Sequence, residues 1–319
     1  MMTRAFFAFV YLVTAGAAFA AYPERPIRVI MPFPPGGTVD VVTRLVTSEA
    51  GEILGKPFVL DYRPGAGGTI ATEATARAQP DGYTLLVTTP NHTINPALRA
   101  KLPFNTEADF SPVTLIANVP ELLIAHPSAP FANMREFLQY AKANPGKLSY
   151  SSAGIGTLPH ITMELLLRNA GLDVTHVAYK GAAPALTDLM GGVVHLKYDT
   201  YATTSPLLPS GKVKVIATAG RSRLPQLPNI PTVAESGFPG YEGYLWIGVL
   251  GPRGVPPEVI PTLSSALIKG ARSQKVAARF QSDGIETPAG GPEELSRLIA
   301  NELKLWARVV REANIKVSD

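Results

Sequence analysis

Two glycine-rich strings hold the residues best suited to chemistry: PFPPGGTVDVVTRL, from Pro32 to Leu45, and YRPGAGGTIATEATARAQPDGYTL, from Tyr62 to Leu85. Each follows an apolar, strand-like run and leads into a helix-like one. A loop so placed turns backbone N–H groups toward the positive end of a helix, where an anion can sit. Neither string carries the Gly-Lys-Ser/Thr ending that a nucleoside triphosphate site requires. The chemistry expected is the holding of a small anion without reaction.

The individual residues admit two readings each. Gly36 and Gly37 allow close backbone approach, and Thr38 offers a hydroxyl at the helix entrance, either as a plain cap or as an anion donor. SSAGIGT, Ser151 to Thr157, repeats the arrangement in the second half, where Ser152, Gly154 and Thr157 are the candidate donors. Together the loops can grip one carboxylate or both ends of a dicarboxylate, each charge-assisted hydrogen bond contributing about 1.5–3 kcal/mol. Gly154-x-Gly156 makes a poor dinucleotide fingerprint, because Pro159 stands at the third glycine position. His160 and Glu164 share a helix face at metal-ligand spacing, but there is no HExxH and no third ligand. His160 is therefore read as facing the solute or as a structural polar group. Tyr179 ends another strand and is placed in the cleft, while Lys180 reads as a solvated charge. Asp199, beside Tyr198, either accepts a donor from the ligand or caps a turn. No G-x-S-x-G elbow and no cysteine nucleophile is present, and Ser152 with His160 and Asp199 makes no credible triad. No catalytic residue, metal or cofactor is expected.

The elements that must position these residues alternate. Ile27–Met31, Phe58–Tyr62 and Tyr83–Thr89 read as buried strands, with helices over Val39–Leu54 and Thr69–Gln79 between them. In the first helix Val39, Val42, Val46, Ala50 and Ile53 mark one face. Further strands are expected at Glu121–His126, Leu148–Ser152, Val174–Tyr179, Leu196–Thr200 and Val213–Ala219. The alternation implies an α/β fold with mostly parallel sheets and right-handed crossovers. Two amphipathic helices, Pro257–Arg272 and Pro292–Asn314, close the chain, and Trp306 in the second is read as core. Length and the lack of a flexible linker point to two lobes joined by chain crossings, with the site in the cleft beyond the strand ends.

Arg4, the apolar run Ala5–Phe19 and the Ala18-Phe19-Ala20 pattern read as a signal peptide over residues 1–20, cleaved before Ala21. An exported, soluble protein follows. With no cysteine, it has neither disulfides nor a lipid-accepting thiol, and relies on its core alone. The formal charge is +4, or +3 once Arg4 leaves, and the basic residues are scattered, so no nucleic-acid surface is expected.

The chain resembles the solute-receptor family of tripartite tricarboxylate transporters, the TctC or Bug family. The resemblance runs from about Tyr22 to Ile315 and is carried by the strings above, by YSSAGIGTLPHITMELL, YKGAAPALTDLMGGVV and LPNIPTVAESGFPGYEGYLWIGVLGPRGVP, and by the closing WARVV. It implies a two-lobed, type II-like periplasmic binding protein that closes on a carboxylated solute, often through ordered waters, and hands it to membrane permease subunits. Lobe 1 is expected over 21–122 and 246–319, and lobe 2 over 123–245. By position, Phe33, Gly36, Gly37, Thr38 and Asn91 contact the solute from the first lobe, and Ser152, Gly154, Thr157, His160 and Asp199 from the second. The chain departs from the family at Ala178, where proline is common, and at Tyr62, where an acidic or amide residue often precedes Arg-Pro-Gly. Lys197 and Tyr198 beside Asp199 add a charge and an aromatic wall, and with Phe33 and Tyr179 they suggest an aromatic carboxylate among mono- and dicarboxylates. The chain is expected to act as a monomer in the periplasm. The rival readings are a co-receptor for a membrane sensor kinase, and a secreted enzyme working through His160.

Overall fold

The computed structural model describes residues 22–288, 290–312 and 315. The signal peptide expected over residues 1–20 and the end of the last helix at Asn314 lie outside the described residues.

Among the described residues nine strands form one sheet: β1 (Ile27–Met31), β2 (Phe58–Tyr62), β3 (Thr84–Thr88), β4 (Phe110–Ala125), β5 (Ser149–Ser152), β6 (Thr175–Ala178), β7 (Leu196–Thr200), β8 (Lys214–Thr218) and β9 (Tyr244–Pro252). Their order is β2-β1-β3-β9-β4-β7-β5-β6, with β8 also on β4. The helices are α1 (Thr38–Leu54), α2 (Thr69–Ala76), α3 (Asn91–Leu98), α4 (Met134–Ala143), α5 (Leu158–Ala170), α6 (Ala182–Met190), α7 (Tyr201–Thr204), α8 (Val259–Ala271), α9 (Gln274–Ser282) and α10 (Pro292–Glu312).

The expected parallel pairing holds toward the outside of each lobe. There β1 lies between β2 and β3, and β5 between β6 and β7, all parallel. The centre is antiparallel, so the sheet is mixed: β9 opposes β3 and β4, and β4 opposes β7 and β8. β4 links the two halves. From Phe110 to Pro120 it pairs with β9, and from Glu121 to Ala125 with β7 and β8. Its first part escaped sequence reading because Pro112 and Pro120 interrupt the pattern and the register shifts twice.

α1 presents Val39, Val42, Val46 and Ala50 to the core around β1, while Ile53, at the end of the same stripe, is 48% exposed. The second lobe has its own core around Phe137, Tyr150, Met163 and Tyr198. After β9 the chain returns to the first half, where α8 packs on α1 and α10 on α3 and β4. Trp306 is buried in α10 against Ile94 of α3 and against Leu158 and Ile161 of α5, as core, whereas Leu305 is exposed.

Candidate functional site

The loop after β1 delivers Gly37 in an extended conformation as the cap of α1, with no side chain closing the helix end. Thr38, the first helical residue, does not cap its own helix. Its hydroxyl meets that of Thr200, at the end of β7, at 2.5 Å. The Gly36 N–H turns away and donates to Asp40 Oδ2 at 3.0 Å. Asp40 also accepts from Arg44 and from the Tyr62 hydroxyl, so its buried carboxylate is fully engaged inside the lobe. Burial and then the bond to Asp40 push the Tyr62 hydroxyl up to about 12. Tyr62 thus takes over the fixing of this loop.

In the second lobe, Thr157 caps α5 and its hydroxyl donates to the Gly154 carbonyl at 2.6 Å. Ser152 stands behind the loop: its Oγ accepts from the Gly154 N–H at 3.1 Å and lies 2.7 Å from His176 Nε2. His160 Nδ1 accepts from the Gly156 N–H, and its ring stacks on His176, which stacks in turn on Tyr150. Burial and the neighbouring His176 lower His160 to about 3, and burial lowers His176 to about 4, so both rings are neutral at pH 7. Glu164 accepts from the Tyr150 hydroxyl at 2.7 Å and is spoken for.

Between these loops lies a cavity of about 50 Å³. Of the residues expected to contact a solute, Phe33, Gly37, Thr38, Thr157 and Asp199 line it. Gly154 and Tyr179 line a neighbouring hollow with Gly67 and Gly68. Gly36, Ser152 and His160 sit behind the walls as loop supports, and Asn91 donates to the Gly67 carbonyl at 2.8 Å, holding the loop before α2. Glu121 and Thr200 also face the cavity, and Lys197, noted from sequence only as a charge beside Asp199, lies in its floor. A larger hollow of about 640 Å³ runs along α1 and β2, but it touches one lobe only and none of these loops.

The sequence model for the tripartite tricarboxylate transporter family receptor matches residues 42–315. The chain belongs to this family. The receptor is similar to solved proteins along nearly its whole length. The structure of the periplasmic binding protein BugD is 35% identical, covering 92% of this chain and 99% of that one, with a TM-score of 0.89. A Rhodopseudomonas palustris protein with adipate is 34% identical, covering 92% and 99%, with a TM-score of 0.89. MatC from the same organism, with bound malate, is 34% identical, covering 91% and 100%, with a TM-score of 0.87. It is a solute-binding receptor of the periplasmic type, and no helix among its described residues is long and apolar enough to cross a membrane.

The receptor's cleft is closed. Besides the Thr38–Thr200 bond, the Gly67 backbone approaches Ile155 so nearly that a Cβ on Gly67 would lie 2.3 Å from the Ile155 carbonyl oxygen. Pro34 packs on Gly181 with no more room, since a Cβ there would come within 2.7 Å of the ring. The floor holds buried charge. Lys197 Nζ is 2.8 Å from Asp199 Oδ2, with the side chains 1% and 4% exposed. Glu121 accepts from the Thr162 hydroxyl at 3.1 Å, yet burial pushes its carboxyl up to about 8, so it carries a proton at neutral pH. The cavity thus brings together the Thr38–Thr200 hydroxyl pair, one buried ion pair and a neutral acid, with walls contributed from both halves of the chain.

Proposed function

We propose that this chain is an extracytoplasmic receptor that closes on a small mono- or dicarboxylate, the aromatic ones included, and delivers it to the permease subunits of a tripartite transporter, performing no chemistry. The observation that carries the reading is the cavity itself, walled by the N-terminus of α1 with Thr38 on one side and by Thr157 and the end of β7 on the other. Neighbours solved with adipate and with malate support the carboxylate class.

In this reading Phe33, Gly37, Thr38, Thr157 and Asp199 touch the solute, directly or through water. Gly36, Asn91, Ser152, Gly154, His160 and Tyr179 shape the loops around it. The two lobes exchange at the β4–β9 pair, where β4 changes partners after Pro120; this supports lobe 2 over 123–245 and lobe 1 before and after it. The leader over residues 1–20 would be removed on export, and the mature chain would work as a monomer.

A thermal-shift screen of the mature protein against mono-, di- and tricarboxylates, followed by calorimetry, tests the proposal. At a hundredfold excess over Kd, a solute should stabilise the fold by about 2.7 kcal/mol. Folded, ligand-free protein that responds to no carboxylate would sink it.

A further inference from the structure

Lys197 is the least expected residue of the cavity. It lies on β7, all five residues of which are buried. An ammonium in such a place is costly to desolvate, and an apolar side chain of similar size would serve the fold as well or better. The reason for a lysine must therefore lie in what it faces.

Lys197 Nζ donates to the Tyr198 carbonyl at 2.9 Å and lies 2.8 Å from Asp199 Oδ2 in an ion pair that is not an aligned hydrogen bond, which leaves two of its three N–H bonds without a hydrogen-bond acceptor among the described residues. Asp199 Oδ1 is taken up by the Thr200 N–H at 2.9 Å and the Thr203 hydroxyl at 2.6 Å. Oδ2 accepts no hydrogen bond among the described residues, and its contact with Nζ is an ion pair. Both side chains line the cavity. The floor therefore presents free donors and one free acceptor, side by side, with the negative charge of Asp199 already balanced from within.

We propose that Lys197 is the specificity-determining residue of this receptor, and that the Lys197–Asp199 pair admits carboxylates bearing hydrogen or hydroxyl at C2 while rejecting their 2-amino counterparts. This deepens the carboxylate-receptor reading and rests on it. A hydroxyl can accept from Lys197 and donate to Asp199 at once. A second carboxylate oxygen can accept from Lys197 alone. A substrate ammonium in the same place faces the lysine ammonium in a dry site, where like charges are strongly disfavoured. Without Lys197 the preference reverses, because Asp199 then lacks the cation that a 2-amino acid carries.

The experiment is calorimetric titration of the wild type and the Lys197→Met variant with matched pairs: malate and aspartate, succinate and aspartate, adipate and 2-aminoadipate. The wild type should bind at least one acid about tenfold or more tighter than its amino counterpart, and Lys197→Met should cut that ratio at least about tenfold. Should Lys197→Met not fold, as judged by circular dichroism, the Lys197→Met/Asp199→Asn double variant leaves no unpaired charge and should bind both members of a pair alike. Wild type that binds an acid and its amine equally, or only the amine, overturns the inference and leaves the receptor reading standing. So does a folded variant that keeps the wild-type ratio. Folded wild type that binds no acid or amine of the series overturns the inference, and a wider carboxylate screen that is also silent removes the receptor reading beneath it.

Discussion

Thr38, at the start of α1, and Thr200, at the end of β7, meet across the cleft through a hydrogen bond of 2.5 Å between their hydroxyls. Both residues are buried in the closed form, and both line the cavity. In the receptor reading proposed above, a bond between the lobes would form only when they are together, and so would favour a closed form over an open one. Ligand affinity includes that closure equilibrium.

Thr38→Val keeps shape and removes the bond. A neutral hydrogen bond is worth about 1 kcal/mol net, so affinity for the best carboxylate should fall roughly fivefold. The melting temperature of each open lobe should change little. Calorimetry of wild type and variant decides the point, and an unchanged Kd would show that the Thr38–Thr200 bond does not support closure.

Gly67 and Gly171 make a matched pair for testing closure. Both have φ near +63°, so alanine at either carries the same left-handed strain, about 1–2 kcal/mol. They differ in surroundings: a Cβ at Gly67 would collide with the Ile155 carbonyl across the cleft, while nothing lies within 4 Å of one at Gly171. Gly67→Ala should hold the lobes apart, raise the radius of gyration in solution scattering with saturating solute, and weaken binding at least about tenfold. Gly171→Ala should lose stability only. Equal effects on binding would contradict a closure role for the Gly67–Ile155 approach.

Glu121 gives an alkaline stability signature. Its carboxyl is raised by burial to about 8, against an ordinary 4.5. Between those values the folded protein keeps a proton that the unfolded chain has lost, so stability falls as pH rises from 4.5 to 8 and levels off above it. Across the window the cost is on the order of a few kcal/mol. Glu121→Gln should flatten this part of the profile, with a melting temperature above wild type at pH 8 and little difference at pH 5. The difference between the two profiles isolates Glu121 from the buried histidines, which act in the opposite sense. Parallel profiles would show that the carboxyl is ionised in the fold.

What the sequence made legible follows from the range of each signal. The strands β1, β2 and β7 stand where they were read, but only β7 is buried throughout: β1 exposes Arg28, and β2, expected as a buried strand, is an edge strand with every residue at least partly exposed. β9 was not read as a strand, since Gly248 and Gly251 dilute its propensity; Gly248 is there because Leu295 of α10 presses against its backbone. Phe33, Gly37, Thr38 and Thr157, which line the cavity, could be picked out because glycine-rich loops have local signatures at helix starts, and Asp199 because it ends a strand. Glu121 was read as the first residue of a strand and given no role. Only the change of partners along β4 brings it to the floor, and that pairing has no local trace. His160 and Ser152 were expected at the solute; their side chains hydrogen-bond the loop at Gly156 and Gly154, since spacing along a helix does not say which neighbour a side chain satisfies.

His160 separates the receptor from the enzyme reading. A general acid–base group must touch the reacting molecule and exchange protons near the working pH. His160 lies behind the loop, accepts from the Gly156 N–H, and stacks on His176; burial and that neighbour hold it down to about 3. It stays neutral in the fold while the unfolded chain takes up a proton below about 6.5. Stability is therefore fully present above pH 6.5 and is lost as pH falls toward 3, on the order of a few kcal/mol in total. His160→Phe keeps the stacked ring and removes the titration. It should lose about 1 kcal/mol at pH 7 from the missing acceptor, yet unfold at lower pH than the wild type in an acid titration followed by circular dichroism. Carboxylate affinity should stay within roughly fivefold, the most that a shift of the supporting loop by one weak hydrogen bond accounts for. If His160→Phe instead leaves binding intact and abolishes a measurable conversion of the bound solute, the ring reaches the solute after all, and the enzyme reading replaces the receptor.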